Sequence, residues 1–134
     1  MAITIPEKFA TLLHKKSFAQ IATIMPDGSP QVTPVWVDYD GKNILFNSVK
    51  GHVKDKNLRR DPRISLAVQD PDNPYSYFQV RGRVIAITEK GASEHIDKMA
   101  QKYTGQPKYA YGRPGEVRVI YTIEPEHINA ISSR

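Results

Sequence analysis

The 134-residue chain contains no cysteine, which excludes disulfides, thiolate metal ligands and a cysteine nucleophile together. No apolar run approaches the roughly 20 residues that a membrane-spanning helix needs. The amino-terminal stretch MAITIPEKFA breaks its apolar character with Glu7 and Lys8, so the core of a signal peptide is missing too. Repeats, low-complexity tracts and linker-like segments are absent. The four histidines, His14, His52, His95 and His127, are scattered without the close spacing of a metal site. There is no nucleophile elbow, no Walker loop and no dinucleotide fingerprint. Asp38/Asp40 and Asp70/Asp72 could be read as carboxylate pairs, but both lie in turn sequences where Asp bonds to its own backbone. A self-sufficient acid–base or covalent catalyst is therefore not expected. If the chain is an enzyme, a cofactor carries the reactive atom and the protein binds and orients it.

These absences leave a soluble, cytoplasmic single domain over residues 1–134 as the expectation. Its 40% hydrophobic and 25% charged content is ordinary for a globular protein of this length. What stands out is positive charge: a net +5 and a pI near 9.5. That charge is concentrated. Between Lys50 and Arg63 there are six basic residues (Lys50, Lys54, Lys56, Arg59, Arg60, Arg63) against two acids, Asp55 and Asp61. This segment alone carries four of the five net charges.

The surrounding pattern gives the segment a structural place. Residues 6–16 predict a short helix, with Phe9, Leu12 and Leu13 on one face. Residues 18–25, 31–39 and 43–48 predict strands, separated by PDGSP and by Asp40-Gly41 turns. Pro34 removes a ladder donor from the second of these, so an edge or a bulge is expected there. Residues 51–61 predict a short helix stopped by Asp61-Pro62. Strands follow over 63–70 and 78–87, with Gly82 marking a bend or close approach. A second helix spans 90–103, with Ala92, His95/Ile96, Met99 and Tyr103 on one face. A tyrosine-rich segment, 104–116, leads to VRVIYTI and a last short strand near HINAI. Strands joined by tight turns with few helices predict a small antiparallel barrel.

The basic cluster thus sits at a strand-to-helix junction. Backbone N–H groups at a helix start face outward and the helix dipole favours negative charge there. A solvated basic face is the plainer reading, but Asn47 and Ser48 at the strand end add convergent polar groups that favour an anion site. Trp36, the single tryptophan, suits a core contact or a bound ring. Tyr75, Tyr77, Tyr103, Tyr109 and Tyr111 are individually unremarked rings that as a group could line a mouth. Nucleic acid is not expected, because the aromatics are not interleaved with the lysines as a stacking platform requires.

With these residues in view the chain resembles the split β-barrel flavin and deazaflavin oxidoreductases. That group includes the pyridoxamine 5′-phosphate oxidases and their small relatives that use coenzyme F420. The resemblance runs through IATIMPDGSPQVTPVWVDYDG, ILFNSVKGHVKDKNLRRDPRISLAV and YFQVRGRV. The middle block is the most specific, through Asn47-Ser48, Lys54, Asn57-Leu58 and Asp61-Pro62-Arg63. It implies a mainly β, six-stranded antiparallel split barrel that forms a homodimer, with cofactors in grooves between the subunits. It further implies that Thr33, Pro34, Val35 and Trp36 border the tricyclic ring. Asn47 and Ser48 would contact the ring, or the ribityl chain and phosphate. Lys50 and Lys54, with Asn57, would hold the phosphate region, and Tyr77 would reach in from the facing strand or the other subunit. Val53 stands where flavin-binding oxidases commonly carry arginine, and their long C-terminal extension is missing. Both departures weaken an oxidase assignment, and the short length, the segment NSVKGHVKDKNL and the excess of lysine resemble the deazaflavin branch: a reductase passing hydride from reduced F420 to an electron-poor conjugated small molecule. FMN binding on the same fold, or a non-catalytic deazaflavin carrier, are the alternatives.

Overall fold

The computed structural model describes residues 2–131. A short helix α1 (Glu7–Ala10) runs into a 3₁₀ turn (Thr11–His14). Strands β1 (Phe18–Ile24), β2 (Pro30–Trp36), β3 (Asp38–Tyr39) and β4 (Ile44–Val49) precede helix α2 (Val53–Arg60). Then come β5 (Arg63–Asp70), β6 (Asn73–Thr88), helix α3 (Ala92–Thr104) and β7 (Arg118–Ile131). All strands pair antiparallel in one sheet of order β2-β1-β5-β6-β7-β4-β3.

The sheet has seven strands where six were expected. The predicted strand 31–39 breaks at Val37, and its two pieces lie at opposite edges of the sheet. Consecutive residues can reach both edges only if the sheet curls until those edges meet, and that makes the barrel. Val37 is the seam. It is fully buried, and its N–H donates to the Tyr103 hydroxyl (3.0 Å) instead of a ladder partner. Its carbonyl accepts from Lys102 Nζ (2.8 Å), so α3 satisfies the backbone groups that the break leaves over. Pro34 does lie on an edge strand, where its missing donor costs no ladder bond. At the carboxyl end the two expected strands are one continuous ribbon, β7.

The inward positions of the alternating strands form the core, with Ile21, Phe46, Leu66, Phe78, Tyr121 and Ile123 almost fully buried. The leading helical segment stoppers one end, its Leu12 and Leu13 joining this cluster as the periodicity predicts. Helix α3 buries Ala92, Ile96 and Met99. It stops at Gly105, whose φ of 78° only glycine adopts without strain, and releases the chain into the tyrosine-rich loop.

Inside the barrel one polar pair stands out. Tyr121 stacks on Phe46 (centroids 4.5 Å apart) and donates its hydroxyl proton to Asp55 Oδ1 at 2.5 Å. Asp55 also accepts from Gly51 N–H (2.8 Å) and Arg59 Nε (3.0 Å). Burial opposes its ionisation, yet these hydrogen bonds hold its carboxyl below the ordinary value. The pair bolts the start of α2 onto β7. Tyr121→Phe is expected to cost about 1–3 kcal/mol, the usual penalty for stripping a partner from a buried acceptor. Urea denaturation measures it, and an unchanged midpoint would show that Asp55 finds another donor.

Candidate cofactor-binding cleft

Helix α2 sorts the basic cluster. Arg59 pairs with Asp55, Arg63 with Asp61 (2.7 Å) and Lys50 with Glu89 (3.1 Å). Arg60 donates to the Ile24 carbonyl and to Asn57 Oδ1. Lys56 is exposed. Of the six basic residues only Lys54 lines the cleft described next, so most of the positive charge apparent in the sequence is answered locally.

The cleft has a volume of ≈ 290 Å³. Its walls come from β2 (Pro34, Val35, Trp36), β4 (Asn47, Ser48, Val49) and α3 (Ile96, Met99). Tyr109 and Tyr111 of the loop after α3 close one side. The rest is lined by Phe18, His52, Lys54 from α2, Arg118 from the first position of β7, and Glu116, whose Oε1 accepts from the Arg113 N–H (2.8 Å). Arg118 sits opposite Val49 in the antiparallel register, which brings it beside the Asn47-Ser48 end of β4. No carboxylate among the described residues lies within ion-pair distance of either cation. Lys54 is half buried, and burial together with the nearby Arg118 guanidinium pushes its pKa down.

The aromatic wall is itself ordered. Trp36 stacks on Tyr103 (5.1 Å, 6° between planes) and meets Tyr109 edge-on at 5.9 Å. Tyr109 in turn packs edge-on against Tyr111 and lies 5.1 Å beneath the Arg118 guanidinium. The loop that carries these rings is tied down by the Tyr109 N–H, which donates to Asp97 Oδ1 (2.8 Å). Tyr103 is not free for proton transfer. Its hydroxyl donates to the Ser17 carbonyl (2.5 Å), and burial pushes its pKa up to about 12.

The residues singled out in the sequence therefore divide. Pro34, Val35, Trp36, Asn47, Ser48 and Lys54 come together on one cleft. Thr33 is next on β2 but does not line it, and its buried hydroxyl has no hydrogen-bond partner. Lys50 points to Glu89. Asn57 is buried, donating to Thr23 Oγ1 (3.0 Å) and Met25 Sδ (3.3 Å), where it ties α2 to β1. Tyr77, opposite Gln69 at the β5–β6 pairing, borders a separate depression with Gln20 and Val32.

Two groups were missed. Arg118 lay in a stretch read only as a strand, and nothing in the sequence says which strand it faces. The second is a contact between Asp38 and His95, 57 positions apart. Asp40 behaves as its turn sequence predicts, accepting from the N–H groups of Lys42 and Asn43. Asp38 instead accepts from His95 Nε2 (3.1 Å) and Tyr39 N–H (2.8 Å). Burial alone would raise its pKa, but these bonds and the Lys98 ammonium hold it at about 2. A carboxyl depressed in the folded state adds stability above its unfolded pKa and loses it as pH falls towards the folded one. The Asp38 contribution is thus expected to vanish between about pH 4 and pH 2. Thermal scans of Asp38→Asn beside the unsubstituted protein should show a flatter acid limb in the variant.

The profile of the pyridoxamine 5′-phosphate oxidase family matches residues 5–132. The chain belongs to the pyridoxamine 5′-phosphate oxidase family. Among solved structures, this family member is similar to an F420 reductase at 31% identity and a TM-score of 0.83, over 93% of this chain and 98% of that one. It is also similar to a conserved hypothetical protein of Mycobacterium tuberculosis, at 24% identity and a TM-score of 0.75, over 99% and 88% of the two chains. A pyridoxamine 5′-phosphate oxidase-type protein of Listeria innocua shares the fold at 20% identity and a TM-score of 0.70, over 95% and 98%. The family supports an oxidoreductase-type barrel for flavin-like cofactors, and the mainly β architecture foreseen from the sequence agrees with it. No described helix is long and apolar enough to cross a membrane.

Proposed function

We propose that this family member is a coenzyme F420-dependent reductase that passes hydride to an electron-poor conjugated small molecule. The observation that carries the reading is the pairing, in one cleft, of an aromatic wall with two cations that lack carboxylate partners. Burying Lys54 beside Arg118 costs stability in the free protein, and a phosphate-bearing ligand offsets that cost when it binds. Similarity to an F420 reductase over nearly the whole chain supports the same conclusion.

In this reading Lys54 and Arg118 hold the phosphate region, and Ser48 and Asn47 flank it. Pro34, Val35 and Trp36 border the ring, with Ile96 and Met99 forming an apolar floor. When bound, the deazaflavin supplies the hydride. The protein's own residues fix donor and acceptor in contact, exclude water and turn a two-body encounter into a near-unimolecular step. Tyr103 does not supply the proton, because its hydroxyl is committed to backbone. Thr33, Lys50, Asn57 and Tyr77 lie outside this cleft; Asn57 serves it by tying α2 to β1, and Tyr77 would reach the cofactor from the facing strand or a partner subunit. The working form is a single-domain homodimer in the cytoplasm.

Fluorescence titration with F420 and with FMN tests the assignment. F420 is expected to bind more tightly, quenching Trp36, and tighter FMN binding would assign the cleft to flavin instead. Oxidation of reduced F420 by a panel of enones, quinones and nitro compounds separates a reductase from a carrier.

A further inference from the structure

We infer that Asp38, His95 and Asn47 form a positioning relay that aims the Arg118 guanidinium into the cleft; the ligand it serves rests on the cofactor reading above. The protons along this chain admit one arrangement. Asn47 lies between the Ala92 carbonyl, which can only accept, and Arg118 Nε–H, which can only donate. Its amide must therefore turn Nδ2 to Ala92 (2.9 Å) and Oδ1 to Arg118 (2.8 Å). The same Nδ2 lies 3.1 Å from His95 Nδ1, so that ring nitrogen carries a lone pair. The imidazole proton then resides on Nε2 and is donated to Asp38 Oδ2 at 3.1 Å.

Four elements are joined by these bonds: β3 through Asp38, α3 through His95, β4 through Asn47 and β7 through Arg118. The anchor end is the more rigid one. Asp38 is fixed by Tyr39 N–H, and Lys98 Nζ stands 3.8 Å from the same oxygen that His95 uses. His95 itself is largely buried, its side chain 10% exposed. At the far end Arg118 is held at its Nε and laid over the Tyr109 ring. One edge of the guanidinium is thereby used for orientation, and the terminal nitrogens remain for an anion between it and Lys54. His95 touches no ligand in this scheme. It is a positioning residue: it keeps Asn47 from swinging away, and Asn47 keeps Arg118 pointed.

The tautomer is directly observable. Long-range ¹⁵N–¹H correlation of the ligand-free protein, with the His95 signals assigned by their loss in His95→Gln, should show a proton on Nε2; a proton on Nδ1 would overturn the relay. Two variants then test its consequence for binding. Glutamine at 95 can accept from Asn47 through Oε1 and donate to Asp38 through Nε2, whereas alanine can do neither. His95→Ala is expected to weaken F420 binding roughly fivefold, the worth of one net hydrogen bond, while His95→Gln stays within about twofold of the unsubstituted protein. Equal affinities for all three, or glutamine no better than alanine, would refute the relay. If the unsubstituted protein fails to bind F420, the cofactor reading falls and the relay is judged separately. Solvent exchange of Arg118 Nε–H should then be slow in the unsubstituted and glutamine forms and fast in the alanine form. Should the alanine form not fold, the tautomer and the glutamine variant still decide.

Discussion

Gly82→Ala is expected to destabilise the protein by about 3 kcal/mol or more, at the upper end of what overpacking usually costs. A Cβ at this position would stand 2.1 Å from the backbone oxygen of Glu124 and 3.2 Å from Pro125 Cα. Both obstacles are main chain, so neither can rotate away as a side chain would. The contact lies where β6 and β7 slip register, between Arg81 and Gly82, opposite Pro125. That irregularity bends the two longest strands, and the bend lets the sheet curl far enough for β2 and β3 to meet. Relief of the clash would have to separate β6 from β7 and flatten the barrel at its centre. Guanidinium denaturation followed by intrinsic fluorescence is the measurement. A midpoint equal to that of the unsubstituted protein would mean that the bend does not depend on close backbone approach. Because Gly82 does not line the cleft that holds Lys54 and Trp36, any folded fraction should keep its affinity for F420.

Lys54→Ala and Arg118→Ala are expected to have the opposite profile. Each removes a charged hydrogen-bond donor from the proposed phosphate site, a loss of about 1.5–3 kcal/mol, or roughly ten- to a hundredfold in affinity. Neither should cost the fold much, and Lys54→Ala should leave stability unchanged or improved. The reason is electrostatic. Lys54 is half buried beside a like charge, so the folded state disfavours its ammonium form. Removing it relieves that penalty, and Lys54→Met does so while keeping the aliphatic stem packed. Calorimetric titration with F420, paired with thermal unfolding of the same samples, reads both effects. The double variant should lose less than the sum of the two single losses, since either substitution alone already removes the Lys54–Arg118 repulsion that a bound anion would relieve. Full affinity in both single variants would remove the anion site from this cleft.

The two predictions fall on different parts of the chain because stability and binding are built from different residues. The alternation of apolar positions makes the barrel, and it persists whatever occupies the cleft. The cleft and its support carry groups that a fold optimised only for stability would not keep: an unanswered lysine, an arginine laid over a tyrosine ring and, behind them, a part-buried Asp38–His95 pair. Sites that break local rules in this way are where function is most readily found.

Much of this was present in the amino-acid order. Local hydrophobic periods placed α1, α3 and most of the strands, and the Asp61-Pro62 stop bounded α2, since each depends only on neighbours a few residues away. Pro34 marked an edge strand through its missing donor, and Gly82 marked a close approach through its missing side chain. The run from Asn47 to Lys54 pointed to the strand end and helix start that contribute to the cleft. The tertiary structure alone decided the rest. Only there does 31–39 divide at Val37, because the break depends on α3 offering Tyr103 and Lys102 to a distant backbone. Likewise only the fold separates Lys54 from the neutralised lysine and arginines around it, and brings Arg118 across 63 intervening positions to join it. Charge in a sequence is a sum over residues, whereas a binding site is made by direction and distance, and those belong to the folded chain.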